Sequence, residues 1–333
     1  MKDLQQILTA LQSAPADDAV LATLVHVDGS SYRRPGARLL LTADDRRIGS
    51  ISGGCLEDDV VIHARTVRTN GTAKPIAYDT TAENDLVWGV GLGCHGVVQV
   101  LLEKLPPQPT WAAALRENFL RRTATKLAVV WRGADATLLG TRLARDLPSL
   151  PATAEVFREN VPPPTTLIIF GAGDDVRPLV RLAKELGWHI TVADPRPAFA
   201  TAERFPEADA VVVARPEKAP TSLPLAADTV AVIMTHHYRH DVPLLRALLP
   251  RPLAYLGLLG PRKRAERILS DLAAQGFVAT PEMRARLHAP VGLDLGADNP
   301  EEVALAILAE MKAVLAGRDA RPLRERQQPI HVD

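Results

Sequence analysis

The chain has 333 residues, 47% hydrophobic and 23% charged, which at roughly 100–200 residues per domain fits two domains with a core each. Its 39 basic residues balance 39 acidic ones, 18 of each up to Pro162 and 21 of each beyond, so neither half carries the net positive field that nucleic acid or an anionic membrane attracts. No run of about 18 apolar residues predicts a membrane span, and MKDLQQILTALQ places Leu4, Ile7, Leu8 and Leu11 at helical spacing rather than in a secretion signal, so the expected location is the cytoplasm.

After that first helix, AVLATLVHV (residues 19–27) is predicted to be a buried strand. It runs into DGSSYRRPGARLLLT, where Arg34-Pro35-Gly36 signals a turn, and residues 38–42 and 47–52 return as two further strands. LEDDVVIHARTVRT (residues 56–69) has a helical pattern after a pair of glycines. A strand over 96–105, a helix over 111–122 and strands over 126–131 and 154–158 follow. Pro162-Pro163-Pro164 can neither continue a helix nor donate to a β-ladder. The boundary is placed there, giving an N-terminal mixed α/β domain over 1–162 and a C-terminal domain over 163–333. Pro106-Pro107-Gln108-Pro109 reads as a rigid loop inside the first domain, a boundary there being the alternative.

The second half changes rhythm. TTLIIF, HITVAD, ADAVVVA, DTVAVIMT and PLAYLGLLG are strand candidates separated by helical or loop segments, and residues 300–315 form a final helix with Glu301 and Glu302 in its first turn. This alternation predicts a Rossmann-like parallel sheet covered on both faces. In IIFGAGDDVRPL, Gly171 and Gly173 join the first strand to its helix, where a tight turn, close backbone approach and free N–H groups suit a phosphate. Asp194 ends the second strand, where such folds reach a ribose hydroxyl. Val176 replaces the third glycine, and Asp174 and Asp175, expected in the first helical turn, repel a pyrophosphate. Two readings stay open: a nucleotide in the crevice, or a scaffold that holds another anion or nothing.

Both cysteines sit in glycine-rich turns. Cys55 follows Gly53-Gly54 in GSISGGCLEDD, just before a helix; consecutive glycines form anion-binding nests, and helix N-termini favour the thiolate that ligates soft metals or attacks a persulfide. Glu57 is a candidate orienting group or base. Cys94 lies in WGVGLGCHGVVQV among Gly89, Gly91, Gly93 and Gly96, with His95 as a possible ligand or proton carrier. The bland alternative is that each thiol is a small buried hydrophobe.

GSSYRRPGARLLL, GSISGGCLED and WGVGLGCHG, with IIFGAGDDVRPL, TVADPR, VIMTHHYRHDVPLL, AYLGLLGPRKRAERIL and HAPVGLDLGADNPEEVALAILAE, together resemble the xanthine dehydrogenase accessory factor (XdhC/CoxI) family in order and spacing. The resemblance implies an accessory chaperone, not an enzyme. It would bind and protect molybdenum cofactor (molybdopterin), support its sulfuration by a cysteine desulfurase and insert it into a molybdenum hydroxylase such as xanthine dehydrogenase, as a homodimer. It implies ligand contact at Gly53, Gly54 and Cys55, with molybdenum or sulfur contact at Cys55 and Cys94, and a Rossmann turn at Gly171, Gly173 and Asp194. Tyr32 stands where Pro is usual, His95 where Gly is common and Asp174 where His is common.

Other candidates lie at strand ends. His236, His237 and His240 follow the fourth strand of the second domain; His236 and His240 have the spacing of a helical metal pair, but Asp241 and Pro243 predict a later helix start. Gly257 and Gly260 allow close approach beside Arg262 and Lys263, and Asp294 lines the crevice or makes a local turn. Arg33, Arg34 and Arg38 suit phosphate or are simply surface residues. An NAD(P)-dependent oxidoreductase using Gly171, Gly173, Asp194 and the His236 cluster is the runner-up function, and a docking protein with an empty crevice the third.

Overall fold

The computed structural model describes residues 1–13, 18–79, 96–133 and 135–327. They form two compact units, Met1–Pro164 and Thr165–Asp333.

The first unit contains α1 (Lys2–Ser13), β1 (Val20–Gly29), β2 (Arg38–Leu41), β3 (Arg47–Gly49), α2 (Glu57–Asn70), β4 (Lys74–Asp79), β5 (Gly96–Lys104), α3 (Thr110–Leu120), β6 (Thr125–Arg132), β7 (Gly140–Leu143) and β8 (Glu155–Val161). Five strands make an antiparallel sheet in the order β3-β2-β1-β5-β4, and three make another in the order β7-β6-β8. Val20, Ala22 and Leu24 of β1 pack with Val60, Ala64 and Val67 of α2. Leu21, on the opposite face of β1, packs with Ile7 of α1, Leu115 of α3 and Leu127 of β6. Burial on both faces is why β1 reads as a nearly continuous apolar run, broken only by Thr23 before His26.

The expected third strand over 47–52 ends at Gly49, because Ser50–Ser52 leave the ladder for hydrogen bonds described below. KPIAYD forms β4, a strand that its Pro and charges conceal; Pro75 is tolerated because β4 lies at the sheet edge. The proline cluster at 106–109 connects β5 to α3 within this unit.

The second unit contains β9 (Thr166–Phe170), α4 (Val176–Glu185), β10 (His189–Asp194), β11 (Ala210–Val213), α5 (Ala219–Ser222), β12 (Val230–Ile233), α6 (Tyr238–Leu248), β13 (Tyr255–Leu258), α7 (Arg262–Ala274), α8 (Pro281–Ala285), β14 (Leu287–His288) and α9 (Pro300–Leu315). Its strands form one parallel sheet, β11-β10-β9-β12-β13-β14. Chain order reverses between β9 and β12, as in dinucleotide-binding folds, and places a crevice at their carboxyl ends. Residues of α4 and α9 cover one face and residues of α6 and α7 the other.

Asp241 and Pro243 predict a late start for α6, but it begins at Tyr238 and carries Pro243 inside it. The proline removes one backbone donor, a loss offset by burial of Leu244, Leu245 and Leu248. On the opposite side, Glu310 of α9 accepts hydrogen bonds from the Tyr255 hydroxyl and the Gly292 amide and lies 3.2 Å from His288, tying α9 to β13 and β14. Among the described residues, no helix is long and apolar enough to cross a membrane.

Candidate functional site

In the first unit, the chain leaves β3, passes through Gly53 and Gly54, presents Cys55 and enters α2 at Glu57. Glu57 is 6% exposed, so its carboxylate is turned inward. It accepts hydrogen bonds from Ser50 Oγ (3.1 Å), the Ile51 amide (3.2 Å), the Ser52 amide (2.9 Å) and the Ser52 hydroxyl. Burial pushes this carboxyl up, but the hydrogen bonds, those of Ser52 foremost, outweigh it and hold it below the ordinary range. Ser52 Oγ in turn accepts from the Gly54 and Leu56 amides at 3.1 and 3.2 Å. Glu57 thus braces the turn through Ser52; Ser50 and Ser52 are partners that the GGC motif does not reveal.

The braced turn leaves its far side open. Cys55 is exposed and its thiol is free, unlike the small buried hydrophobe of the bland alternative. Gly54 has φ +109°, and a Cβ added there would meet nothing within 4 Å. Cys94, His95 and glycines 89, 91 and 93 lie outside the described residues. The arginines of the neighbouring loop are partly committed: Arg33 pairs with Asp3 at 2.7 Å, and buried Arg38 pairs with Glu159 and donates to the Gly36 carbonyl. Arg34 is exposed.

In the second unit, Gly171, Gly173, Asp194 and His236 come together where β9, β10 and β12 end. Gly171 has φ +127°, and any Cβ there would run into the Met234 carbonyl beyond β12. The Asp194 carboxylate takes four donors: the Ala172 amide at 2.9 Å, the Arg196 amide at 2.9 Å, and Arg196 Nε and Nη2, each at 2.8 Å. Burial raises this group, but the Arg196 and Ala172 contacts prevail and hold it below the ordinary carboxylate range. The oxygens that would meet a ribose hydroxyl are thus engaged by the protein.

Asp174 and Asp175 precede α4 rather than lying in its first turn, Asp175 at the N-cap. Each has its own partner, Asp174 with Arg204 at 2.9 Å and Asp175 with His236 Nε2 at 2.7 Å. His236 adopts φ +56°, a left-handed conformation unusual for a side chain with a Cβ, and lies outside α6. His236 and His240 therefore do not share a helix; His237 and His240 lie against each other instead, ring centres 4.3 Å apart and planes tilted by 30°. Burial, reinforced by neighbouring His237, lowers the basicity of His240. Among the described residues, no three His, Cys, Asp or Glu side chains gather as a metal-holding group.

Gly257 lies within β13, where a Cβ would meet Val291 Cγ2 at 2.6 Å, so core packing accounts for the glycine. Gly260 follows β13, and there a Cβ would meet Arg264 Cδ at 2.9 Å. Arg264 is anchored to buried Asp241 through Nε at 2.8 Å, whereas Arg262, Lys263 and Asp294 are exposed.

Comparison with known proteins accords with both halves. Residues 13–79 match the XdhC and CoxI family, and residues 167–311 match the XdhC Rossmann domain. The chain is 34% identical over 314 residues to a probable xanthine dehydrogenase subunit of Bacillus subtilis (strain 168), spanning 89% of this chain and 92% of that one. It is 26% identical over 305 residues to the molybdenum cofactor insertion chaperone PaoD of Escherichia coli (strain K12), spanning 89% of this chain and 83% of PaoD. A crystal structure of a xanthine dehydrogenase from Bacillus halodurans superposes with a TM-score of 0.79 at 30% identity, over 98% of this chain and 99% of that one. With both halves matched and a relative this similar over nearly its whole length, the chain belongs to the XdhC and CoxI family.

Proposed function

We propose that this chain holds molybdenum cofactor and inserts it into a molybdenum hydroxylase of the xanthine dehydrogenase kind, with the cofactor as cargo. The observation that carries the reading is the Gly53-Gly54-Cys55 turn. Glu57 and Ser52 make it rigid, while Cys55 stays exposed beside an open Gly54. A soft thiol on a preorganised turn suits a molybdenum–dithiolene cargo or its terminal sulfur. The name of the PaoD relative supports the same cargo. Sulfuration by a cysteine desulfurase while the cofactor is held extends the proposal.

The chain-order reversal between β9 and β12 favours an NAD(P)-dependent oxidoreductase as the second reading. Against it stand the carboxylates at the crevice: Asp194 is engaged by Arg196 and Ala172, and Asp174 and Asp175 flank the helix start.

The test is anaerobic purification of the full chain after expression with molybdate, with bound pterin quantified by fluorescence after oxidation. The wild-type chain is expected to carry pterin and to activate an apo-hydroxylase, and Cys55→Ala to carry at most about a tenth as much, the equivalent of one lost strong ligand contact. A wild-type chain that carries no pterin but binds NAD or NADP tightly would overturn the proposal in favour of the oxidoreductase.

A further inference from the structure

Beside the Cys55 turn lies Tyr32, which stands where the related sequences usually carry Pro. Tyr32, in the loop between β1 and β2, is 70% exposed, and among the described residues it is the only exposed Phe, Tyr or Trp. Its hydroxyl makes no hydrogen bond with any described residue. Exposing so large an amphipathic ring forgoes the burial that aromatic side chains normally gain.

The ring has a defined seat. A Cβ built on Gly53 would lie 3.7 Å from Tyr32 Cδ1 and 3.8 Å from both Cγ and Cε1. Three adjacent ring carbons at nearly one distance put that Cβ position over the face of the ring; an approach at the rim would leave the flanking carbons distinctly farther away. One face of Tyr32 therefore looks toward Gly53, and most of the ring is open to solvent. Gly54, the next residue, leaves open space, and Cys55 follows.

We propose that Tyr32 is a stacking platform for the flat heteroaromatic ring of the cargo, its pterin, while Cys55 engages the metal or sulfur end. The inference rests on the function proposed above and adds a binding residue to that site. Aromatic stacking accepts a flat π-system without depending on its edge hydrogen bonds, as single-stranded nucleic acid binding shows for bases.

The experiment is equilibrium dialysis of the full chain against molybdenum cofactor released anaerobically from a molybdenum enzyme, with each side quantified as oxidised pterin. Variants are Tyr32→Phe, Tyr32→Leu, Tyr32→Ala and Cys55→Ala, and thermal midpoints verify that each folds. Tyr32→Phe is expected to stay within about twofold of wild type, and Tyr32→Leu and Tyr32→Ala to bind about tenfold or more weakly, the cost of one lost stack. Wild-type affinity in Tyr32→Ala, or Tyr32→Leu equal to Tyr32→Phe, overturns the platform. If Cys55→Ala is weakened while Tyr32→Ala is not, the cargo stands and the ring's role falls. If the wild-type chain binds no cofactor, the proposed function fails first and this inference with it.

Discussion

The two glycine turns are built on one plan and end in opposite surroundings. In each, a strand gives way to a helix through glycine, and a carboxylate held below its ordinary range ties the turn down. In the first unit that carboxylate, Glu57, comes from the helix itself and spends its oxygens on the strand side of the turn. The outer surface is left to Gly54, Cys55 and Tyr32. In the second unit the carboxylate, Asp194, comes from the neighbouring strand, and the turn is ringed by side-chain pairings of the protein's own making: Asp194 with Arg196, Asp174 with Arg204 and Asp175 with His236. A glycine motif supplies backbone access. Whether that access is offered to a ligand depends on what the surrounding side chains have already claimed.

This contrast can be broken by substitution. The largest effect is expected at Gly171→Ala, where positive φ and collision with the Met234 carbonyl act together; about 4 kcal/mol of stability should be lost from the second unit, read by urea unfolding. A loss below about 1 kcal/mol would show that the crevice backbone can yield. Asp194→Asn comes next, at about 3 kcal/mol, because an amide cannot accept the four donors that converge on the carboxylate and the Ala172 amide is buried.

Glu57→Gln should cost about 2 kcal/mol, since both lone pairs of Ser52 Oγ are used by Gly54 and Leu56 and the new amide N–H₂ cannot accept the Ser52 proton. Both carboxyls have lowered folded-state values. The stability they confer is therefore complete above their ordinary values, 3.8 for Asp194 and 4.5 for Glu57, and is lost as pH falls through the lower folded values. The gap between wild type and either variant should close on acidification, and a gap independent of pH would mean that shape rather than charge ties the turn. The smallest effect belongs to Gly54→Ala, about 1 kcal/mol from the positive φ alone, because nothing stands where the Cβ would go. A Gly54→Ala loss as large as that of Gly171→Ala would erase the distinction between an open turn and an enclosed one.

Much of the scaffold is legible in the residues. TTLIIF, HITVAD and DTVAVIMT announce buried parallel strands because both their faces are covered, and GAGDD marks the turn after the first of them. Harder to read are elements whose stability comes from a neighbour. β4 reads as KPIAYD and forms because β5 offers it an open edge. α6 starts before the polar residues that seem to delay it, because three leucines of its apolar face are buried. The candidate sites divide in the same way. Cys55 and its glycines stand out by local composition, whereas Tyr32 lies 21 residues before Gly53 in sequence and meets it only in the folded unit.

The amino-acid pattern alone determined a mixed α/β chain with a Rossmann-type second half and a cysteine in a glycine-rich turn, because apolar periodicity and glycine placement act over a few neighbouring residues. Tertiary structure decided what each turn is free to do. Carboxylates, arginines and histidines find partners that the folded turns bring to them, and those pairings filled the Asp194 position while leaving Cys55 and Tyr32 exposed.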